Sequence, residues 1–176
     1  MPLPVAHGLL GAVAVILISP RISLRRDWLM LLFGAFLAVS PDFDFFFVWI
    51  LDWGEEWHRG FSHSIFTALL FTFLMFFITK VARFKAALAC GAALLSHGLL
   101  DFTTTKLDKG VKLLSPVLDE RFKLGLVDYL RATQHYSVMD YVKASLIELL
   151  VLAPIFLVIL WIGGYLSHND FRARRT

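Results

Sequence analysis

The chain has 176 residues, of which 58% are hydrophobic and 18% are charged. A mean hydropathy of +0.70 excludes an ordinary soluble domain and indicates an integral membrane protein. The formal net charge of +3 is too small to indicate nucleic-acid binding, and the single cysteine, Cys90, excludes an intramolecular disulfide. We expect one integral-membrane domain over residues 1–176.

The first predicted element is an apolar run from Leu3 to Ser19 that carries His7 near its start. No lysine or arginine precedes this run, whereas Arg21, Arg25 and Arg26 follow it. A signal peptide has the opposite charge order, with its basic residues first. The run is therefore predicted to be a retained membrane span with its N-terminus outside.

The second apolar run, Trp28 to Ser40, leads into the polar segment Pro41–Asp44. Because proline disfavours helix at the residue before it, this pattern predicts a helix that ends in a polar turn carrying Asp42 and Asp44. The following stretch, Phe45 to Leu51, is too short to cross a bilayer alone. It is predicted to be an interfacial or re-entrant segment.

A polar motif, His58–Ser64, stands directly before the third span, which is predicted over Phe61 to Ala82. Residues five apart on a helix point away from each other, so His58 and His63 converge only if the chain turns between them. Gly60 offers the backbone freedom for that turn. We therefore expect His58 in a loop and His63 in a first helical turn.

The fourth span is predicted from Ala86 to Phe102 and carries His97 and Asp101 near its far end. Their spacing of four residues places both side chains on one helix face, which suits two ligands of one metal ion. The mixed-charge connection over residues 103–140 is too polar to cross the membrane. We expect it to pack over the end of the bundle that holds these polar residues.

The last span is predicted from Val142 to Leu166 and contains one carboxylate, Glu148. A carboxylate at that depth needs a partner, because an ionisable group inside a membrane is costly. Glu148 is either an additional metal ligand or, as we favour, the partner of a cation such as Arg131 or Lys143.

Together these elements predict an all-α fold: a polytopic membrane bundle of about five transmembrane helices with a short interfacial or re-entrant segment. Because successive spans alternate in direction, their polar residues all fall at one end of the bundle, which we call the site end. The opposite loops carry Arg21, Arg25, Lys80 and Arg83, which predicts an extracytoplasmic site. The candidate metal ligands at the site end are His7, Asp42, Asp44, His63, His97 and Asp101.

Several blocks of the sequence carry a family resemblance. The blocks are Pro41–Asp44, His58–Ser64, Ser96–Thr103 and Gly110 with Leu113–Pro116. Their order and spacing resemble those of the YdjM-like, LexA-regulated membrane-bound metal-dependent hydrolases. The resemblance implies a multispanning protein of a prokaryotic inner membrane with a metal-dependent hydrolase site. It also implies a functional role for His58 together with the six candidate ligands.

Imidazole and carboxylate ligands together suit one or two zinc ions, with manganese or iron as alternatives. His58 is expected either to bind the metal or to act as the catalytic acid, and Arg59 to stabilise developing negative charge. The sequence has no Gly-x-Ser-x-Gly motif, so its serines are not predicted nucleophiles. Hydrogen-bond partners of the ligands are instead expected among Ser62, Ser64, Ser96 and Thr103.

A metal site at the membrane end of a bundle predicts a hydrolase acting on a phosphoester of a lipid or a lipid-linked molecule. The expected partners are membrane lipids and that substrate, with no nucleic acid and with the oligomeric state left open. The alternative is a metal-ion or proton transporter, because histidines and carboxylates within membrane spans also mark ion pathways. A pathway needs polar residues at both ends of the helices, and here they gather at one.

Overall fold

The computed structural model of the protein describes residues 3–19, 26–79, 84–104, 110–126 and 137–173. Six α-helices account for most of these residues. They are α1 (Pro4–Ile18), α2 (Trp28–Val39), α3 (Phe45–Trp49), α4 (Ile65–Thr79), α5 (Phe84–Thr104) and α6 (Val138–Ala173). Within the described ranges the β-structure is limited to one isolated antiparallel bridge between Val111 and Phe122. The predicted all-α membrane bundle is confirmed.

Three helical stretches in the described part of the chain are long and apolar enough to cross a membrane: Trp28–Trp49, Phe84–Thr104 and Val138–Ile162. A fourth candidate is the pair Glu55–His63 and Ile65–Ile78, which is bent by 48°. Helix α1 is apolar but has only 15 residues. The five predicted spans therefore correspond to three or four spans of full length and one shorter helix.

The helical structure continues past Pro41, where the sequence predicts a helix end followed by a polar turn. A 3-10 turn over Ser40–Asp44 joins α2 to α3, and Pro41 lies in the first turn of that 3-10 segment. Proline has no amide hydrogen. It is tolerated in a first turn because an amide N–H at that position has no acceptor within the helix. The third predicted span also starts later than expected, because a 3-10 turn over Phe61–His63 precedes α4.

Helix α1 lies at the centre of the bundle and packs against α2, α5 and α6, while α4 packs against α5. Small residues allow the closest approach. A Cβ atom on Gly11 would lie 2.3 Å from Ala38 Cβ, and one on Gly34 would lie 2.4 Å from Val15 Cγ2. Such close crossings are typical of helices packed within membranes. They align the start of α1 with the end of α2.

Part of the connection between α5 and α6, residues 110–126, lies against the start of α4 and the end of α5. Lys112 N–H donates to the Arg59 carbonyl at 3.0 Å, and Ile65 N–H donates to the Leu113 carbonyl at 2.9 Å. Leu124 N–H donates to the Phe102 carbonyl at 2.7 Å. The basic residues Arg21, Arg25, Lys80, Arg83 and Arg131 lie outside the described ranges.

Candidate metal centre

Four side chains from three parts of the chain meet at the site end, and we call them the metal cluster. Asp42 comes from the 3-10 turn after α2, His63 from the turn before α4, and His97 and Asp101 from α5. Each offers one nitrogen or oxygen atom, and these atoms all lie within 4.8 Å of one another. The residues fit a metal ion in number, type and spacing.

The distances within the metal cluster match a tetrahedral site. His97 Nε2 lies 2.9 Å from His63 Nε2, 3.3 Å from Asp42 Oδ1 and 3.7 Å from Asp101 Oδ2. His63 Nε2 lies 3.6 Å from both carboxylate atoms. Metal–ligand bonds of about 2.0–2.1 Å in a tetrahedral zinc site separate neighbouring ligand atoms by about 3.4 Å. The five separations between these ligand atoms, from 2.9 to 3.7 Å, thus lie near that value.

A hydrogen bond at the far side of His97 fixes the tautomer of that ring. His97 Nδ1 lies 2.6 Å from the carbonyl oxygen of Ala38, which can only accept a hydrogen bond. The proton of the neutral ring therefore lies on Nδ1, and Nε2 presents a lone pair to the metal cluster.

The second imidazole is held in the same way by Ser62 and Asp44. Ser62 Oγ donates to Asp44 Oδ2 at 2.8 Å, and the same oxygen lies 2.9 Å from His63 Nδ1. A hydroxyl has one hydrogen, so Ser62 accepts from the Nδ1–H of His63. His63 Nε2 then also presents a lone pair, and four electron-rich atoms face one point.

Burial makes this arrangement of two carboxylates unfavourable unless positive charge is present in addition to that of Arg59. The side chains of His63, His97 and Asp101 are fully buried, whereas that of Asp42 is 17% exposed. Asp42 Oδ1 and both oxygens of Asp101 are buried and accept no hydrogen bond from the described residues. Buried polar atoms almost always have a partner, and a metal ion would be the partner that all four ligand atoms share.

His7 borders the cluster without joining the group of four. Its ring stacks on His97 with centroids 3.8 Å apart, and its Nε2 lies 3.5 Å from Asp101 Oδ1. Both ring nitrogens are buried and make no hydrogen bond to described residues. His7 therefore covers the ring of one ligand and faces the second oxygen of another, and its role as a ligand stays a prediction.

Asp44 and His58 lie behind the cluster. Asp44 accepts hydrogen bonds from Ser62 Oγ and from the backbone N–H of Arg59, and its Oδ1 lies 2.9 Å from His58 Nδ1. Its oxygens thus face hydrogen-bonding groups that orient His63 and His58. His58 is partly buried and stacks on Phe45 with ring centroids 3.9 Å apart.

The turn between the two histidines depends on Arg59 as well as Gly60. Arg59 has a positive φ of 57°, a conformation that residues other than glycine seldom adopt. Gly60 has a φ of −84°, and a Cβ atom there would lie 2.9 Å from the Trp57 carbonyl oxygen. The Arg59 side chain is buried, and its Nε lies 3.2 Å from Asp101 Oδ2. Its positive charge offsets part of the carboxylate charge.

Three of the four expected hydrogen-bond partners do not reach the cluster. Ser64 accepts from the backbone N–H of Thr67 at the start of α4. Ser96 Oγ donates to the Ala93 carbonyl, and Thr103 Oγ1 donates to the Leu100 carbonyl. Hydroxyl groups readily bond to the nearby backbone in this way. Of the four, Ser62 contacts a ligand.

Some contributors are not evident from sequence. The Ala38 carbonyl, which lies 2.6 Å from His97 Nδ1, is a backbone group, so the identity of residue 38 does not indicate this role. Gly98 has no distinguishing sequence pattern, yet a Cβ atom on it would lie 2.2 Å from the His63 carbonyl oxygen. Arg121 donates to the carbonyls of Gly110, Glu56 and His58, which ties the His58 loop to the later connection. An arginine in a polar connection gives no indication of which distant carbonyl groups it contacts.

The partners described for Glu148 are backbone amides. Its side chain is 2% exposed, and its carboxylate accepts from the backbone N–H of Leu3 at 2.8 Å and of Ala6 at 3.2 Å. Lys143 is exposed, and Arg131 lies outside the described ranges. The carboxylate thus contacts the start of α1 at the site end.

Two depressions adjoin the site. An open groove of about 660 Å³ is lined by Asp42, Ser62 and the aromatic segment Phe43–Phe47. A smaller cavity of about 230 Å³ is bordered by His58, Arg59, Trp49 and Arg121, among others. Asp42, the most exposed member of the metal cluster, is therefore reached from an aromatic groove.

Comparison with known proteins gives the family. Residues 1–170 match the family described as YdjM inner membrane protein. The chain is 38% identical over 99 residues to the inner membrane protein YbcI of Escherichia coli (strain K12), covering 53% of this chain and 57% of that relative. The match thus spans little more than half of the relative's length, and no solved structure matches the chain. With nearly the whole sequence matched by the family, the chain belongs to the YdjM inner membrane protein family and is an inner membrane protein.

Proposed function

We propose that this protein is a membrane-embedded, metal-dependent hydrolase that cleaves a phosphoester of a lipid or lipid-linked substrate. The observation that carries the proposal is the convergence of four buried ligand atoms, with both imidazoles turned by hydrogen bonds so that their lone pairs face one point. Building this arrangement in a membrane is costly unless a cation is bound.

Asp42, His63, His97 and Asp101 would hold the ion, and the mixed nitrogen and oxygen set suits zinc, with manganese or iron as alternatives. When bound, such an ion polarises a phosphoryl oxygen and activates water for attack. One set of four converging atoms favours a single ion. Arg59, already 3.2 Å from Asp101, supplies positive charge on one side of the cluster.

His58 is suited to protonate the leaving group. Its Nδ1 lies 2.9 Å from Asp44 Oδ1, so this contact orients the imidazole, a group that commonly serves as a general acid. Phe45 stacks on the ring and restricts its orientation. The ring borders the smaller cavity, which is also lined by Arg59, Arg121 and Glu55. A phosphate group there would lie near two guanidinium groups and one carboxylate.

The aromatic groove supports an amphipathic substrate. It combines one partly exposed ligand, Asp42, with side chains of Phe43–Phe47, so a reactive head group could reach the ion while hydrocarbon remains against aromatic rings. We place this groove on the extracytoplasmic side of the membrane, from the basic residues in the opposite loops.

Transport receives less support. Among the described residues, the buried charged side chains gather at the site end, and Glu148 also contacts the start of α1 there. A transport pathway through the bundle would need polar groups along the rest of the helices.

The proposal is tested with purified protein in detergent and mixed micelles of phosphorylated lipids. We expect inorganic phosphate or a phosphorylated head group to be released, chelation to abolish release, and added zinc to restore it. Proteoliposomes containing a metal-sensitive dye provide the comparison. Zinc uptake without hydrolysis would favour the transporter.

A further inference from the structure

Helix α1 begins without a local cap. Leu3 at the N-cap position makes no side-chain hydrogen bond, and the first turn of α1 contains no acidic residue. The first amide groups of a helix lack acceptors within it and attract negative charge. Some other group must therefore satisfy the start of this helix.

Glu148 provides that group from α6. Its Oε1 accepts from Leu3 N–H at 2.8 Å and its Oε2 from Ala6 N–H at 3.2 Å, across 145 and 142 positions of sequence. The carboxylate is buried, so few water molecules compete for these bonds. The contact joins α6 to the first turn of α1.

The next residue of α1 is His7. Its ring stacks on the ligand His97 at 3.8 Å, and its Nε2 lies 3.5 Å from Asp101 Oδ1. A shift at the start of α1 would move this ring relative to two members of the metal cluster. Glu148 thus contacts Ala6, the residue directly before the histidine that stacks on His97.

We infer that Glu148 is a positioning residue, which fixes the start of α1 so that His7 stays against His97 and Asp101. It is not itself a ligand, because the atoms that it contacts are backbone amides. The inference rests on the proposed metal centre, where residues that orient ligands commonly change metal affinity by about 10–100-fold.

The test is a double-mutant cycle on metal affinity. Cobalt(II) is titrated into wild-type protein, Glu148→Ala, His7→Ala and the double variant, and its visible absorption reports binding. Each single variant is expected to weaken binding about tenfold. The double variant should be no weaker than His7→Ala alone, since Glu148 acts through His7. Additive losses, or unchanged affinity in Glu148→Ala, would overturn the inference.

Two further variants separate positioning from a general loss of folding. Glu148→Gln keeps one acceptor oxygen and should bind cobalt with an affinity between those of wild type and Glu148→Ala. Asp140→Asn removes another α6 carboxylate, one that bonds locally to Ser137, and should leave the affinity unchanged. Equal losses in Asp140→Asn and Glu148→Ala would contradict the inference.

Hydrogen exchange at Leu3 and Ala6 provides a readout that does not depend on metal. The Leu3 amide should exchange at least tenfold faster in Glu148→Ala than in wild type, while amides in α4 keep their rates. The Ala6 amide also donates to the Leu3 carbonyl at 3.0 Å, so its exchange should accelerate by a smaller factor. Unchanged exchange at Leu3 and Ala6 would refute the role of Glu148. If wild-type protein bound no cobalt, the proposed function would fail, and faster exchange would still support the anchoring of α1.

Discussion

At the scale of single residues, the hydrogen bond at Nδ1 of each imidazole leaves Nε2 with the lone pair that can bind a metal ion. His97 donates to the Ala38 carbonyl and His63 donates to Ser62, which is held by Asp44. Sequence identified the histidines and carboxylates because their types and spacing suit metal binding. It did not separate Ser62 from Ser64, since both adjoin His63 and only the turn before α4 determines which hydroxyl faces the ring.

Ser62 and Ser64 provide a matched pair of variants. Ser62→Ala removes the acceptor that orients His63, so we expect about 10–100-fold weaker zinc binding. Ser64→Ala removes a helix cap and should cost about 1 kcal/mol of stability with little change in zinc affinity. Competition with a chromophoric chelator measures the affinities, and thermal unfolding in detergent measures stability. Equal zinc affinities for the two variants would contradict the role of Ser62.

His58 is expected to affect turnover and not metal content. His58→Gln removes the proton donor proposed for the leaving group, which typically contributes a factor of about 10²–10⁴ in rate. Metal analysis of the same preparation should give the wild-type content, because His58 Nδ1 is directed to Asp44. Loss of metal in parallel with loss of rate would instead make His58 a ligand.

At the scale of secondary-structure elements, the cluster depends on how closely α5 approaches the turn before α4. Gly98 permits that approach, since a Cβ atom there would lie 2.2 Å from the His63 carbonyl oxygen. Periodicity and hydropathy predicted the apolar helices and the shared polar end. They did not predict this contact, because helix separation depends on both surfaces and a lone glycine in a helix has several explanations.

Gly98→Ala should therefore separate α5 from the His63 turn. We expect a stability loss of about 1–3 kcal/mol and weaker zinc binding, because one ligand shifts against two others. Gly8→Ala is the matched control, since its added Cβ would meet Ala35 Cβ at an ordinary 3.7 Å. Thermal unfolding and zinc competition should distinguish the two variants. A Gly98→Ala protein equal to Gly8→Ala in both measurements would contradict this account of the packing.

At the scale of the whole molecule, alternating helix direction brings distant residues to one end. The shared polar end could be predicted from sequence, because apolar runs long enough to cross a membrane alternate in direction. The partner of Glu148 could not, since Leu3 is 145 residues away and a backbone amide carries no sequence signal.

Cysteine labelling tests the shared end and its side of the membrane. In a Cys90→Ala background, cysteines at Phe43, Trp57 and Leu118 should react with an impermeant maleimide added outside intact spheroplasts. Cysteines at Ser23 and Ala82, beside the basic residues Arg25 and Arg83, should react only after the membrane is opened. Labelling of the first group from two different sides would contradict a single site end.

We propose that Asp42, His63, His97 and Asp101 bind one metal ion, and X-ray absorption of the zinc-loaded protein reports the atoms that coordinate it. The predicted result is about one zinc per chain with four ligands at about 2.0–2.2 Å, two of them imidazoles, and loss of the bound zinc in His97→Ala. A wild-type protein without bound zinc, or a spectrum without imidazole scattering that His97→Ala leaves unchanged, would contradict it.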